Sequence, residues 1–243
     1  MKKHLFILSI FLALALMLGG CVASPKPQPI NLSVIIPDGN ATVESSGVET
    51  INKSMAIEND QLGFKACRVF EDTAYMAIKT IGGWGKSGDD VWFDLQLIRK
   101  RGIKKLKIYL LSGGGSPYDG LSVSDELRLL KKDGVFIEIH GRGIIASAAV
   151  PIYLSASKGG RIASKNTTFL LHPAKIEKGG YFSENLKDLQ SQAKMIKMLN
   201  DSYVSIVAEN SNLSRETVTD MIEKDTWVTA EQALEYGFVD EIR

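Results

Sequence analysis

The chain has 243 residues, 44% of them hydrophobic and 23% charged, an ordinary globular balance. A net charge of +1 leaves no basic excess of the kind nucleic acid binding requires. Only two cysteines, Cys21 and Cys67, are present, too few for a disulfide framework.

Lys2 and Lys3 precede an apolar run from Leu5 to Leu18 that is too short to favour a spanning helix, so residues 1–20 read as an export signal. The signal closes on Leu18-Gly19-Gly20-Cys21. Small residues ending directly on a cysteine resemble the lipobox of bacterial lipoproteins. That resemblance implies an acylated Cys21 as the mature N-terminus and a lipid-anchored protein of the bacterial envelope facing the periplasm. With Val22 rather than an acidic residue after the cysteine, it implies sorting to the outer membrane. Acyl chains at one residue would hold the protein on a membrane without a spanning helix. Residues 21–60 read as a tether, with Pro25, Pro27 and Pro29 favouring extended chain and a short strand expected over Leu32–Ile36.

The domain spans 61–243, and its roughly 180 residues are ample for one core. Tyr75–Ile81 reads as a strand, Gly82–Gly88 as a loop and Asp89–Arg101 as a helix ended by Gly102. Lys104–Leu111 is a strand that runs into the turn Gly113-Gly114-Gly115. A helix over Leu121–Lys132 and a strand over Val135–Ile139 follow. Ser147–Ser157 is a helix, and Arg161–Ala163 and Thr167–Leu171 are strands. Glu184–Asn210 is one long helical stretch, Ser214 caps a helix over Glu216–Lys224, and Thr229 with Gln232 forms a capping box for the last helix. Strands alternating with helices predict an α/β domain built on parallel units.

Ser147 stands among small residues where a strand should give way to a helix. A nucleophile there needs a base, an oxyanion hole and access. The Ala148 N–H would be an unpaired donor at a helix N-terminus. Pro151 agrees, since proline is tolerated in a first helical turn. The glycine turn could bring further N–H donors close to a substrate. Of three histidines, His4 belongs to the signal, while His140 and His172 both follow strands, so spacing alone leaves the base open between them.

The segment Leu110–Pro173 resembles the proteolytic subunit of the Clp protease and its wider clan, which includes phage head-maturation proteases and signal-peptide peptidases. The blocks that carry the resemblance are Gly114-Gly115 with Gly120, Gly143-Ile144-Ile145-Ala146-Ser147-Ala148-Ala149, Gly159-Gly160-Arg161 and Leu170-Leu171-His172-Pro173. Thr226 to Asp240 resembles the family's closing helix and strand. The resemblance implies a crotonase-like fold, a superhelix of β-β-α units with a long protruding helix that joins subunits into homo-oligomers. It implies peptide-bond hydrolysis of peptide or protein substrates; the chain itself shows no metal-ligand spacing and no nucleotide motif, so no cofactor or metal is expected. Ser147 becomes the nucleophile, His172 the base, and the N–H groups of Gly114 and Ala148 the oxyanion donors.

The third catalytic member departs from the pattern. An ungapped match places Met221 at the family's aspartate, with Asp220 beside it, and a match to the phage type places Glu223 there instead. Asp220 and Glu223 share a helix face, and either could orient an imidazole. Two other readings compete: a lipid-anchored binding or scaffold protein without turnover, and a crotonase-type enzyme acting on acyl thioesters. A serine–lysine dyad using Lys165 or Lys175 is a variant of the peptidase reading.

Overall fold

The computed structural model describes residues 63–81, 88–176 and 183–243. The signal at 1–20, Cys21, the tether at 21–60, the strand expected over Leu32–Ile36 and the loop at 82–87 lie outside the described residues.

The domain opens with an antiparallel hairpin of β1 (Cys67–Phe70) and β2 (Thr73–Ile78). Helix α1 (Gly88–Arg101) is fastened to the start of this hairpin by Asp94, which is fully buried. Its carboxylate accepts the Lys65, Ala66 and Cys67 N–H groups at 3.0, 2.6 and 2.7 Å. Three donors are what make a buried carboxylate tolerable.

Strand β3 (Lys105–Ser112) lies parallel to β2 and feeds the glycine turn. Helix α2 (Pro117–Lys132) begins before the apolar stripe from Leu121 suggests. Ser116 accepts the Asp119 N–H at 3.3 Å and Pro117 sits in the first turn, so a serine cap followed by proline sets the start.

Strand β4 (Phe136–Ala146) runs well past the expected end at Ile139. Gly141-Arg142-Gly143 bend the strand without ending it. Leu110 faces Gly141 but Ser112 faces Ile145, so β4 bulges between these pairs, and Gly143 takes φ 66° there. The bend lets one strand serve two neighbours. Ile139–Gly141 pair with β5 (Arg161–Ala163), and Ile144–Ala146 pair with β6 (Thr168–Leu171), both parallel. Helix α3 (Ala149–Leu154) follows β4 and is shorter than the expected Ser147–Ser157.

The long helix α4 (Leu186–Glu209) carries a capping box of Asn185 and Asp188. Ser214 caps α5 (Arg215–Glu223), as its spacing predicts. Strand β7 (Thr226–Thr229) pairs antiparallel with β6, and Thr229 and Gln232 form the expected box on α6 (Ala230–Glu235). Strand β8 (Glu241–Ile242) closes on β5, giving among the described residues an eight-stranded mixed sheet in the order β1-β2-β3-β4-β5-β8, with β6 branching from β4 and β7 pairing with β6. Arg161 explains the Gly-Gly-Arg block: it pairs with Asp240 at 2.6 Å and donates to the Asn210 and Gly237 carbonyls at 2.7 and 2.8 Å. One guanidinium thus ties the last strand and helix to β5.

Ile108, Leu110, Ile137 and Ile139 from the strands meet Leu127 and Leu130 of α2 in the core, all fully buried. Tyr153, Phe169 and Phe238 stack edge to face beside them, at centroid distances of 5.2 and 6.3 Å. This packing fixes the C-terminal ends of β4 and β6, where the candidate site lies.

Candidate active site

Ser147 takes the single residue step between β4 and the cap of α3, with φ 55°. A left-handed conformation costs a serine about 1–2 kcal/mol. It is held there from both sides: the Ser147 N–H donates to the Leu170 carbonyl at 2.9 Å, and its carbonyl accepts the Val150 N–H at 3.0 Å. The turn aims the side chain out of the sheet's end. A Cβ on Gly114 would stand 2.6 Å from Ser147 Cβ and 3.1 Å from Oγ, so only glycine fits beneath the serine. Gly120 has the same role under Ala148, where a Cβ would meet the Ala148 carbonyl oxygen at 2.7 Å.

His172 follows β6, half-buried, with Nδ1 2.7 Å from the Pro173 carbonyl oxygen. A carbonyl only accepts, so Nδ1 carries the proton and Nε2 is left with its lone pair. Ser147 and His172 line one cavity of about 400 Å³ together with Gly115, Ser116, Ala174 and Lys175. They also line a smaller, more apolar pocket with Pro117, Leu121, Pro151 and Tyr203. Among the described residues no hydrogen bond joins Ser147 Oγ to the ring, a spacing common in sites without substrate.

His140, the other candidate for the base, sits within β4, and its Nε2 lies 2.5 Å from Glu138 Oε1. It lines neither cavity at Ser147. The structure therefore brings His172, and not His140, to the serine.

The two acids are not brought to the ring. Asp220 is exposed on α5 and pairs with Lys224 at 2.6 Å. Glu223 is exposed and lines a separate cavity with Pro173, Asn200 and Ile222. Met221 turns into the core at 8% exposure. Among the described residues, the group on Nδ1 is a backbone carbonyl.

The donors expected for the oxyanion also separate. Ala148 caps α3 beside Ser147 and lines the smaller pocket. The Gly114 N–H, however, is engaged by Ser112 Oγ at 3.2 Å. Gly113 and Gly115, the latter at φ 145°, line the larger cavity, and Gly114 does not. A Cβ on Gly115 would lie 1.8 Å from the Ile81 carbonyl oxygen, so the position admits glycine alone. Sequence spacing does not distinguish the two glycines, because which N–H faces the cavity depends on backbone dihedrals. Tyr203 was also not singled out by sequence. Among the described residues its buried hydroxyl has no hydrogen-bond partner, and burial raises its pKa.

These features define a class first: a mixed α/β domain presenting a serine and an Nδ1-protonated histidine at the ends of two neighbouring strands. The Clp protease family model matches residues 86–243, and the chain belongs to that family. It is 32% identical over 139 residues to the ATP-dependent Clp protease proteolytic subunit of several Streptococcus pneumoniae strains, covering 57% of this chain and 68% of that protein. Among solved structures it is similar to a point mutant of ClpP1 from Listeria monocytogenes, at 25% identity and a TM-score of 0.59, over 70% of this chain and 90% of that one. ClpP1 itself from the same organism matches at 24% identity, a TM-score of 0.56 and 71% and 91% coverage, a likeness of fold. The fold is thus the ClpP-like α/β architecture that the resemblance implies, and family membership supports a serine-type peptidase at that level.

Proposed function

We propose that the chain is a serine peptidase of the cell envelope that hydrolyses peptide bonds with Ser147 as nucleophile and His172 as general base. The observation that carries this is the pairing of the φ 55° elbow at Ser147 with the Nδ1-protonated His172 on one cavity. In this reading a peptide carbonyl carbon is attacked by Ser147 Oγ while Nε2 takes the hydroxyl proton. The N–H groups of Ala148 and Gly115 stabilise the tetrahedral oxyanion. The imidazolium returns its proton to the leaving amine, and water then releases the acyl group by the same route in reverse. Asp220 and Glu223 take no part in the ground-state arrangement.

The mature protein is anchored through an acylated Cys21, with the outer membrane as its site. Self-association uses α4, which exposes Leu186, Leu189 and Met198 at 71%, 50% and 61%. Exposed apolar side chains of that size suit a protein interface.

The test is fluorophosphonate labelling of the full-length, assembled protein. Labelling at Ser147, lost in Ser147→Ala with an unchanged thermal transition, is the expected result. Absence of labelling in the native protein would sink the peptidase reading and leave the binding or scaffold role, which is favoured by the lack, among the described residues, of a hydrogen bond from either acid to His172. Mass spectrometry of the mature N-terminus checks Cys21: a diacylglyceryl adduct is expected, and an unmodified Cys21 would remove the anchor.

A further inference from the structure

A general base needs its proton on the far nitrogen, and His172 has it there only because the Pro173 carbonyl faces Nδ1 at 2.7 Å. That carbonyl belongs to the same loop as the ring. It can fix the ring only if something else fixes the loop. The β6–β7 ladder ends at the pair Leu171 and Thr226, one residue before the histidine. Pro173 has no N–H with which to anchor itself, although its ring restricts φ.

The anchor comes from α4. Ala174 N–H donates to Asn200 Oδ1 at 2.8 Å. A backbone N–H can only donate, so the facing atom of the amide is its oxygen. Among the described residues this is the one side-chain hydrogen bond that ties 172–174 to another element. Asn200 is half-buried and lines both the pocket holding Ser147 and His172 and the cavity holding Pro173 and Glu223.

We infer that Asn200 is a positioning residue of the site: by holding the Ala174 N–H it aims the Pro173 carbonyl at Nδ1, and the pair does the orienting that a carboxylate would otherwise do. The inference rests on Ser147 and His172 being nucleophile and base. A neutral carbonyl is the weaker partner, since hydrogen bonds to an ionised acceptor are roughly twice as strong. The site therefore depends on the loop being held still.

The experiment uses the full-length protein in detergent with a fluorophosphonate probe and, separately, nitrogen-15 spectra of the histidine rings with His172 assigned through His172→Gln. Asn200→Leu keeps the branched heavy-atom shape and removes the acceptor. Expected is a fall of about 30-fold in the maximal labelling rate, less than the roughly 10²–10⁴-fold that loss of the base itself would cost. Probe affinity should change less than about twofold, and the His172 spectrum should shift from the Nδ1–H form to a mixture of tautomers. Asn200→Asp, which can still accept from Ala174, restores the rate to within about threefold and restores the tautomer. Ala174→Pro deletes the donor instead and repeats the Asn200→Leu result without touching α4, which covers the case in which the leucine variant does not fold.

An Asn200→Leu protein labelled at the native rate overturns the inference, as does slow labelling with an unchanged tautomer. A comparable fall in Asp220→Asn or Glu223→Gln overturns it too, because a carboxylate would then share the ring. If the native protein is not labelled at all, the nucleophile reading fails, while the ring spectra still decide whether Asn200 sets the tautomer.

Discussion

His140, within β4, and His172, just past β6, both stand near the β4 fork, and their surroundings are opposites. His140 lies within β4 with Nε2 on Glu138, while Lys105 and Lys107 reach the same carboxylate at 2.8 and 3.1 Å. Its ring packs 5.1 Å from that of Tyr109, over which Arg142 sits at 5.0 Å. His172 stands just past a strand end, held by one neutral carbonyl and exposed to a cavity shared with a serine. The imidazole with an acid is thus a fastening on the sheet, its Nε2 already engaged. The imidazole without one keeps Nε2 for a proton. An acid–histidine contact is by itself no sign of catalysis; what matters is which nitrogen is left over and what it faces.

The largest test of this contrast is functional. Removing the base with His172→Ala should slow fluorophosphonate labelling by about 10²–10⁴-fold. His140→Gln should leave the labelling rate within about twofold and lower the urea midpoint instead. A labelling loss in His140→Gln equal to that in His172→Ala would erase the distinction between the two rings.

The next concerns the fastening. Burial acts to raise the Glu138 carboxyl, but hydrogen bonds from Lys105, His140 and Lys107 outweigh it and hold the group at about 2. A depressed carboxylate stabilises the fold above its unfolded value of 4.5, and that contribution is lost as pH falls toward 2. Glu138→Gln should therefore cost about 1–3 kcal/mol near neutrality. The difference between native and variant proteins in urea unfolding should shrink below pH 4.5 and vanish near 2. A difference independent of pH would show that packing, not charge, is what the glutamate supplies.

The smallest lies beside His172. The buried Tyr203 hydroxyl has no partner among the described residues, so Tyr203→Phe should leave stability unchanged or raise it by up to about 1 kcal/mol. A loss of more than that in calorimetry would mean the hydroxyl has a partner in the working protein.

Features with local causes could be read from the chain. Ser214, and Thr229 with Gln232, make caps because their side chains satisfy N–H groups three residues away. Ser147 and His172 were legible through the order of motifs around them. The length and fork of β4 were not. Gly141-Arg142-Gly143 reads as a strand breaker, and only its neighbours, β5 on one half and β6 on the other, turn it into a bulge. β1 and β7 carry no clear sequence signal, because strands of four residues owe their state to tertiary pairing more than to propensity. That Gly115 lines the cavity, that the Pro173 carbonyl meets Nδ1 and that Asn200 accepts from Ala174 all depend on where backbone groups point, and residue type does not encode that at such sequence distances.

The elbow at Ser147 has a consequence for how this chain would respond to selection. At φ 55° a glycine would fit without steric cost, so the fold would be firmer by roughly 1 kcal/mol with no hydroxyl there at all. A screen for heat tolerance alone would drift position 147 toward glycine, silencing the site while the sheet, the fork and the caps stayed in place.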